Sequence, residues 1–373
     1  MDRCRTAFSA EKDFDKAFEE VTAQLEEGME GMKPIVLFFD SDAENFAEFA
    51  LKLKEKYPDT VSIGSSSYMS FSSKGYSKHA LVAMAIYDGV ECVSGIIREI
   101  SRYPMRYAPD LAIAVARLGE LKECCCIEFT TAFSHGEELV LDTFKSVLAD
   151  KDIPLFGGSA GAAENQKTTY VALNGEVFTE ACVYIIIKNL KGGIHLYKEN
   201  MFTVTNHFLV ATDVDCDRRT VYEYDNKPAA EVIANALKVP VSELAEHLWK
   251  HPIGRVKGDN VYITDSDTVM PDGSISYYTR IYSQTKLAIL EKEDIDTVWE
   301  KTAAQVRKDV KNPSFTIVIN CLSRTKTFLD KERFDDFANK LEEEYGPYIA
   351  ISGYGEQLDF EHLNRTMVLA VFD

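Results

Sequence analysis

The chain has 373 residues, of which 46% are apolar and 27% are charged, and its formal net charge is −19. This length and balance predict a globular protein of about two domains with a sizeable core, and they exclude general disorder. The acidic surface repels phosphate backbones and anionic lipid heads, so we expect neither a nucleic-acid partner nor a membrane partner.

The N-terminal residues and the cysteines indicate a cytoplasmic protein. Residues 1–11 carry charges of both signs and lack the apolar centre of a signal peptide, and the most apolar stretch, 181–187, is too short to cross a bilayer. Three of the eight cysteines are consecutive, at 124–126. Because neighbouring side chains on a strand point to opposite faces, these cysteines make a poor disulfide framework, and we expect reduced thiols.

Helices and strands alternate at the start of the chain. An apolar helical face predicts a helix from about Asp13 and consists of four residues: Phe14, Phe18, Val21 and Leu25. We predict a buried strand at 34–39, an amphipathic helix at 46–57 and a second strand at 60–63. This second strand runs into a turn of small residues at 64–67.

Three turns that contain glycine predict hairpins along the chain. Asp88-Gly89, Asn174-Gly175 and Asp272-Gly273 supply the positive φ angles of two-residue hairpin turns, and each lies beside strand-like segments. They imply many antiparallel strand pairs. We therefore expect an α+β fold, a mixed α/β architecture with largely antiparallel sheets flanked by helices.

Two stretches, 108–173 and 293–372, share one layout of helix, strand, helix, strand, glycine-containing turn and strand. In the second stretch we expect a loop from Arg324 to Asp330, with Asp330 capping the helix that follows. The repeated layout predicts two related halves. We place one domain at 1–190 and the other at 191–373.

The turn 157–161 is the first candidate binding element. Its glycines let a ligand approach the backbone, and N–H groups at Gly158 and Ser159 can bind a carboxylate. No Gly-Lys-Ser/Thr sequence follows, which excludes a P-loop, and a strand rather than a helix comes next, which excludes a dinucleotide fingerprint. A tight turn without a ligand explains the sequence equally well.

Two strand ends in the second stretch carry opposite charges. Cys321 and Arg324 follow one strand, and the guanidinium of Arg324 suits a carboxylate. The next strand ends at 353–356, where Glu356 suits an ammonium group and Tyr354 offers an aromatic wall. Because ligands of open α/β sheets bind at the carboxyl ends of strands, this arrangement suits a zwitterion. A structural salt bridge explains the same charges.

Signals for catalysis, metals and cofactors are weak. Cys321 is a candidate nucleophile, but no histidine is near it in the sequence. His247 and His251 are four residues apart on a predicted helix, and no third metal ligand accompanies them. We expect no catalytic residue, no metal site and no cofactor.

Several motifs resemble the FIST family. The runs 153–161 and 171–177 and the turn 63–67 resemble the FIST N domain, while 320–324, 353–356 and 364–366 resemble elements of the FIST C domain. The resemblance covers about residues 33–373 and implies a sensory module for small ligands, with amino acids suggested. It also implies candidate ligand contacts at the matching positions, which are Gly158, Ser159, Cys321, Arg324, Gly353, Gly355, Glu356 and Asn364.

Three functional hypotheses follow. The leading one is a sensor in signal transduction that binds amino acids or other small carboxylates and acts through a partner protein, because no segment predicts an output module. The first alternative is an enzyme that uses Cys321 or Glu356 on a small carbonyl or amide substrate. The second alternative is an assembly or adaptor protein, which would have an exposed apolar patch and no enclosed polar pocket.

Overall fold

The computed structural model describes residues 3–258 and 260–373. These residues form nine α-helices and 26 β-strands in four mixed or antiparallel sheets, which confirms the α+β class. The helices are α1 (Phe14–Glu26), α2 (Phe46–Lys56), α3 (Ala108–Ala116), α4 (Glu137–Leu148), α5 (Ala229–Leu237), α6 (Leu244–Lys250), α7 (Ile295–Asp309), α8 (Leu322–Asp330) and α9 (Phe334–Tyr345).

The strands follow in chain order. Those of the first half are β1 (Cys4–Ser9), β2 (Val36–Ser41), β3 (Val61–Ser66), β4 (Ser70–Ser72), β5 (Gly75–Ser77), β6 (Leu81–Ile86), β7 (Val90–Arg98), β8 (Cys124–Thr130), β9 (Leu155–Ser159), β10 (Val171–Leu173), β11 (Glu176–Phe178), β12 (Ala181–Asn189) and β13 (Ile194–Asn200). Those of the second half are β14 (Phe202–Asp215), β15 (Thr220–Tyr224), β16 (Lys227–Pro228), β17 (Ile253–Lys257), β18 (Asn260–Thr264), β19 (Ser266–Val269), β20 (Ile275–Tyr277), β21 (Lys286–Lys292), β22 (Phe315–Cys321), β23 (Tyr348–Gly353), β24 (Gly355–Leu358), β25 (Glu361–Leu363) and β26 (Thr366–Phe372).

The described residues divide into two compact units. The first unit comprises residues 3–198, 301–360 and 367–373, and the second comprises 199–300 and 361–366. Both units are therefore built from segments that are distant in the sequence. The predicted boundary between residues 190 and 191 stays a prediction.

The first unit contains three sheets with one shared strand order. Five strands of each six-stranded sheet follow this order: β1-β6-β2-β3-β10, β7-β12-β8-β9-β24 and β13-β26-β22-β23-β4. In each sheet the two central strands are parallel, and the helices between them in the chain are α2, α4 or the pair α8–α9. The two similar stretches seen in the sequence thus have a third member near the N-terminus, and we number these copies 1, 2 and 3 in chain order.

Each copy gives one strand to another copy's sheet. Strand β4 follows β3 of copy 1 but pairs with β23 of copy 3. Strand β10 follows β9 of copy 2 but pairs with β3 of copy 1, and β24 follows β23 of copy 3 but pairs with β9 of copy 2. The exchange is cyclic, so every sheet is completed by a strand from another copy. The copies consequently depend on one another for their edge pairing.

Two of the three predicted hairpins are confirmed. Asn174-Gly175 joins β10 to β11 as a two-residue turn, whereas Asp272-Gly273 lies in a longer connection, residues 270–274, between the paired strands β19 and β20. The hairpin predicted at Asp88-Gly89 is wrong, because β6 pairs with β1 and β2 whereas β7 pairs with β12 of another sheet. These longer pairings satisfy the backbone of both strands, so the turn carries the chain between sheets instead.

Helices cover the outer face of each sheet in the first unit. The predicted start of α1 is confirmed, since the carboxylate of Asp13 accepts a hydrogen bond from the N–H of Lys16 at 3.1 Å. Phe39 of β2 packs against Phe46 and Phe49 of α2, with ring centroids 5.4 Å apart in both pairs. Burial of such aromatic side chains stabilises each layer by roughly 2–3 kcal/mol per ring.

The second unit has its own sheet and core. Its strand order is β18-β17-β21-β14-β15-β20-β19, and β16 pairs with β15. Helices α5 and α6 supply Ile233 and Leu248 to a core that includes Ile289. None of the helices in residues 3–258 and 260–373 combines the length and the apolar composition that a bilayer crossing requires.

Candidate functional site

Three turns meet where the parallel strand pairs end in the first unit. Three equivalent backbone hydrogen bonds link them. In each, the donor lies two residues after a serine at or next to the end of a strand. The N–H of Tyr68 donates to the carbonyl of Ser352 at 3.0 Å, that of Gly161 to Ser66 at 2.8 Å, and that of Tyr354 to Ser159 at 3.1 Å. The bonds run from copy 1 to copy 3, from copy 2 to copy 1 and from copy 3 to copy 2. The carboxyl ends of all three copies therefore converge.

At two positions of this junction the backbones lie so close that only glycine fits. A Cβ atom at Gly161 would collide with the carbonyl oxygen of Ser352, and one at Gly353 would collide with the carbonyl oxygen of Ser159. Gly158 likewise faces the side chain of Ile319. The absence of a side chain at these positions lets the backbone of the neighbouring copy come into contact.

Four of the predicted site residues lie side by side on two antiparallel strands. Gly158 of β9 is opposite Glu356 of β24, and Ser159 is opposite Gly355. The hydroxyl of Ser159 accepts a hydrogen bond from the side-chain amide of Gln357 at 3.1 Å, and both residues are buried. Glu356 is fully buried as well.

Arg324 and Cys321 belong to the start of a helix. The loop predicted from Arg324 to Asp330 is wrong, because helix α8 begins directly after Cys321 and ends at Asp330. The side chain of Phe328, one turn beyond Arg324, is fully buried, and this burial explains the helical conformation. The charged residues of the segment had suggested a loop. Asp330 therefore ends a helix, and α9 begins after Arg333.

The surroundings of Cys321 and Arg324 are polar as well as buried. Cys321 lies opposite Gly353 in the ladder of β22 and β23, is 4% exposed, and its Sγ accepts a hydrogen bond from Ser323 at 3.3 Å. Arg324 is fully buried, and its Nε donates to Asn320 Oδ1 at 3.0 Å.

Tyr354 and Asn364 have different locations. The ring of half-buried Tyr354 lies 4.8 Å from that of Phe133, and its hydroxyl donates to the carbonyl of Ala162 at 3.3 Å. Burial raises the pKa of Tyr354. Asn364 belongs to the second compact unit, where its Oδ1 accepts a hydrogen bond from the N–H of Asp265 at 3.0 Å.

A chain of buried side chains runs from Arg324 to the first copy. Asn320 Nδ2 donates to Thr325 at 2.9 Å, and the hydroxyls of Thr325 and Ser352 are 2.7 Å apart. The N–H of Ser352 donates to the hydroxyl of Ser67 at 2.9 Å, and Ser67 donates to the carbonyl of Met69 at 2.8 Å. Polar contacts in such buried surroundings fix one arrangement of the turns.

A cavity of about 190 Å³ lies over Ser67. Its wall includes Tyr68, whose ring centroid lies 4.7 Å from Lys78 Nζ and 5.5 Å from Lys326 Nζ. The remaining residues around it are Asp42, Glu44, His79, Ala163, Glu164 and Gln166. Both charge signs therefore surround a small space with one aromatic wall.

Asp40 is a fully buried carboxyl near this cavity. It lies on β2 one residue before Ser41, and burial raises its pKa well above the ordinary range. The nearby hydroxyls of Ser67 and Ser70 favour the ionised form, and the carboxylate of Asp42 disfavours it. Within residues 3–258 and 260–373, no hydrogen bond of ordinary geometry reaches either carboxyl oxygen of Asp40.

A second buried acid, Glu128, lies on the helix-covered face of β8. It accepts hydrogen bonds from Thr130 at 2.5 Å and from the thiol of Cys182 at 3.2 Å. Burial raises its pKa to about 8, against the opposing effect of these two donors. Gly157 lies beside it on β9, where a side chain would collide with Glu128.

Sequence reasoning missed Asp40, Ser67, Tyr68 and Lys78. The signal for Asp40 was present, since a carboxylate directly follows the apolar run 36–39 at the carboxyl end of a strand. The signal for Ser67 lay in the small-residue turn at the end of the second strand, which sequence reasoning did not treat as a binding element. Nothing local to Lys78 indicated a cavity.

Two family models match the sequence. A family model described as the FIST N domain matches residues 34–227, and one described as the FIST C domain matches residues 229–359. Together the two matches span most of the chain. No curated protein matches the sequence significantly.

Proposed function

The chain belongs to the FIST family, whose domains are known as small-ligand sensory domains in signal transduction, and on this premise we propose that it senses a small polar ligand in the cavity over Ser67. The observation that carries the proposal is the double role of Ser67. Ser67 lines the cavity, and its hydroxyl also accepts a hydrogen bond from the N–H of Ser352 at the junction of the copies.

The size and charges of the cavity support a ligand as small as an amino acid. Its volume of about 190 Å³ equals roughly six water molecules at 30 Å³ each and is below the ~300–1,000 Å³ of drug-sized sites. Lys78 suits a carboxylate, Asp42 and Glu164 suit an ammonium group, and Tyr68 suits an apolar side chain. We propose free amino acids or small carboxylates as ligands.

The predicted contact Arg324 fits this proposal as a buried support of the junction. Arg324 connects to Ser67 through Asn320, Thr325 and Ser352. A ligand that reoriented the Ser67 hydroxyl would therefore shift the relative stability of arrangements of the turns, and a partner protein would read that change. All eight cysteines lie in the described residues as free thiols, which supports a cytoplasmic location.

A thermal-shift screen of the twenty amino acids and small carboxylates tests the proposal, because a ligand that binds only the folded state raises the unfolding midpoint. We expect at least one compound to raise the midpoint of the wild type. The shift should disappear in Lys78→Ala and persist in Lys16→Ala, which removes an exposed lysine from α1, outside the cavity. No hit, or equal shifts in both variants, would overturn the cavity as the sensory site.

A further inference from the structure

Asp40 breaks the chemical equivalence of the three copies. Each copy places a serine at or next to the end of its parallel ladder, on the second strand, and Ser66, Ser159 and Ser352 face Ser41, Thr130 and Asn320 on the first strand. The residue that precedes each of these three partners is Asp40 in copy 1, Phe129 in copy 2 and Ile319 in copy 3. All three residues are fully buried. An apolar side chain is therefore compatible with this position, and only copy 1 places a carboxyl there.

The surroundings of Asp40 supply hydroxyl oxygens. Ser70 belongs to β4 and is fully buried, and among the described residues its hydroxyl has no hydrogen-bond partner of ordinary geometry. Ser67 is 2% exposed and reaches the cavity. A carboxyl taken out of water is costly unless a partner compensates it, and a buried unpaired polar atom requires an explanation.

We propose that Asp40, Ser67 and Ser70 form a site for a compact monovalent cation, either an alkali ion or a primary ammonium group. Carboxylate and hydroxyl oxygens are hard ligands that suit alkali ions and accept hydrogen bonds from ammonium. The Ser67 hydroxyl donates to the carbonyl of Met69 and accepts from the N–H of Ser352. A hydroxyl oxygen has two lone pairs, so the second is available for the cation. The site shares Ser67 with the sensory cavity but does not require an amino-acid ligand.

The test compares unfolding midpoints in chloride salts at equal ionic strength. We expect 100 mM potassium, sodium or methylammonium chloride to raise the midpoint by about 2 °C or more over choline chloride, whose cation is too bulky for the site. A response to alkali salts identifies an ion site, whereas a response to methylammonium alone identifies an ammonium subsite. Equal midpoints in all salts would overturn the proposal.

Variants assign the effect to Asp40. Asp40→Asn keeps the shape of the side chain and removes its charge, so the salt-specific shift should vanish, while Asp15→Asn on the exposed face of α1 should leave it unchanged. If Asp40→Asn fails to fold, Ser70→Ala keeps the carboxyl and should at least halve the shift. An undiminished shift in the folded variant would assign the cation to another place.

The pH dependence provides a further readout. The charged group that acts on Asp40 within the described residues is the carboxylate of Asp42, and the other surrounding groups are the hydroxyls of Ser67 and Ser70 and the backbone N–H of Ser41. Protonation of Asp40 competes with a cation, so the salt-specific shift should be larger at pH 8 than at pH 5.5. The opposite trend would contradict binding at this carboxyl.

Discussion

The hydroxyl of Ser67 accepts a hydrogen bond from the backbone N–H of Ser352 at 2.9 Å, although 285 residues separate the two serines. The same turn donates a second bond, from the N–H of Tyr68 to the carbonyl of Ser352. The backbone N–H and the carbonyl of Ser352 thus both join copy 3 to copy 1. The same residue, Ser67, therefore contributes to the junction of the copies and to the lining of the cavity.

Ser67→Ala should therefore destabilise the fold. The substitution removes the donor to Met69 and leaves the buried N–H of Ser352 without its acceptor, which costs about 1–3 kcal/mol. Urea unfolding measures the change. Ser283→Ala, at an exposed position, should stay within about 0.5 kcal/mol of the wild type. A loss of less than about 0.5 kcal/mol for Ser67→Ala would mean that the hydroxyl does not stabilise the contact between the two copies.

Gly161→Ala should cost more than a glycine substitution in open space. The added Cβ collides with the carbonyl oxygen of Ser352, so we expect a loss of more than about 2 kcal/mol in the free energy of unfolding. Gly119 is the control, because its φ is +68° and nothing lies within 4 Å of an added Cβ. Backbone strain alone should then cost Gly119→Ala about 1 kcal/mol. Equal losses would argue against close contact at Gly161.

Glu128→Gln should flatten the pH dependence of stability. Because burial raises the pKa of Glu128 from 4.5 to about 8, the folded state holds a proton that the unfolded state releases above about pH 4.5. Stability from this group is present at low pH and is lost as the pH rises towards 8, by up to about 1.4 kcal/mol per pH unit.

The measurement is urea unfolding of both proteins from pH 5 to pH 8.5. The variant should gain stability relative to the wild type as the pH increases, whereas Glu48→Gln, at an exposed position of α2, should run parallel to the wild type. A difference between Glu128→Gln and the wild type that does not change with pH would contradict the raised pKa.

Cys321 should react slowly with iodoacetamide in the folded protein. It is 4% exposed, whereas Cys216 is partly exposed and offers the matched comparison. Mass spectrometry after timed alkylation should find Cys216 modified well before Cys321, and urea should remove the difference. Faster labelling of Cys321 would indicate an accessible, activated thiol and would favour an enzyme that uses it as a nucleophile.

Local patterns in the sequence predicted much of the secondary structure. The apolar stripe after Asp13 predicted α1, and Asn174-Gly175 predicted a hairpin, because helical periodicity and positive φ angles depend on residues close in the chain. The same reasoning failed at α8, where Arg324 and its charged neighbours suggested a loop. There the helix is stabilised by burial of Phe328 and Thr325 against the rest of the unit, which no local pattern records.

By itself, the sequence determined the α+β class, the FIST family and the positions of the small-residue turns at strand ends. Only the tertiary structure decided that three copies exchange strands, that Ser67 meets Ser352, and that Asp40 lies where the other copies have Phe129 and Ile319. The physical reason is that strand pairing uses backbone groups that are the same in every residue. Which strand pairs with which is therefore set by the packing of whole layers and cannot be read from any one segment.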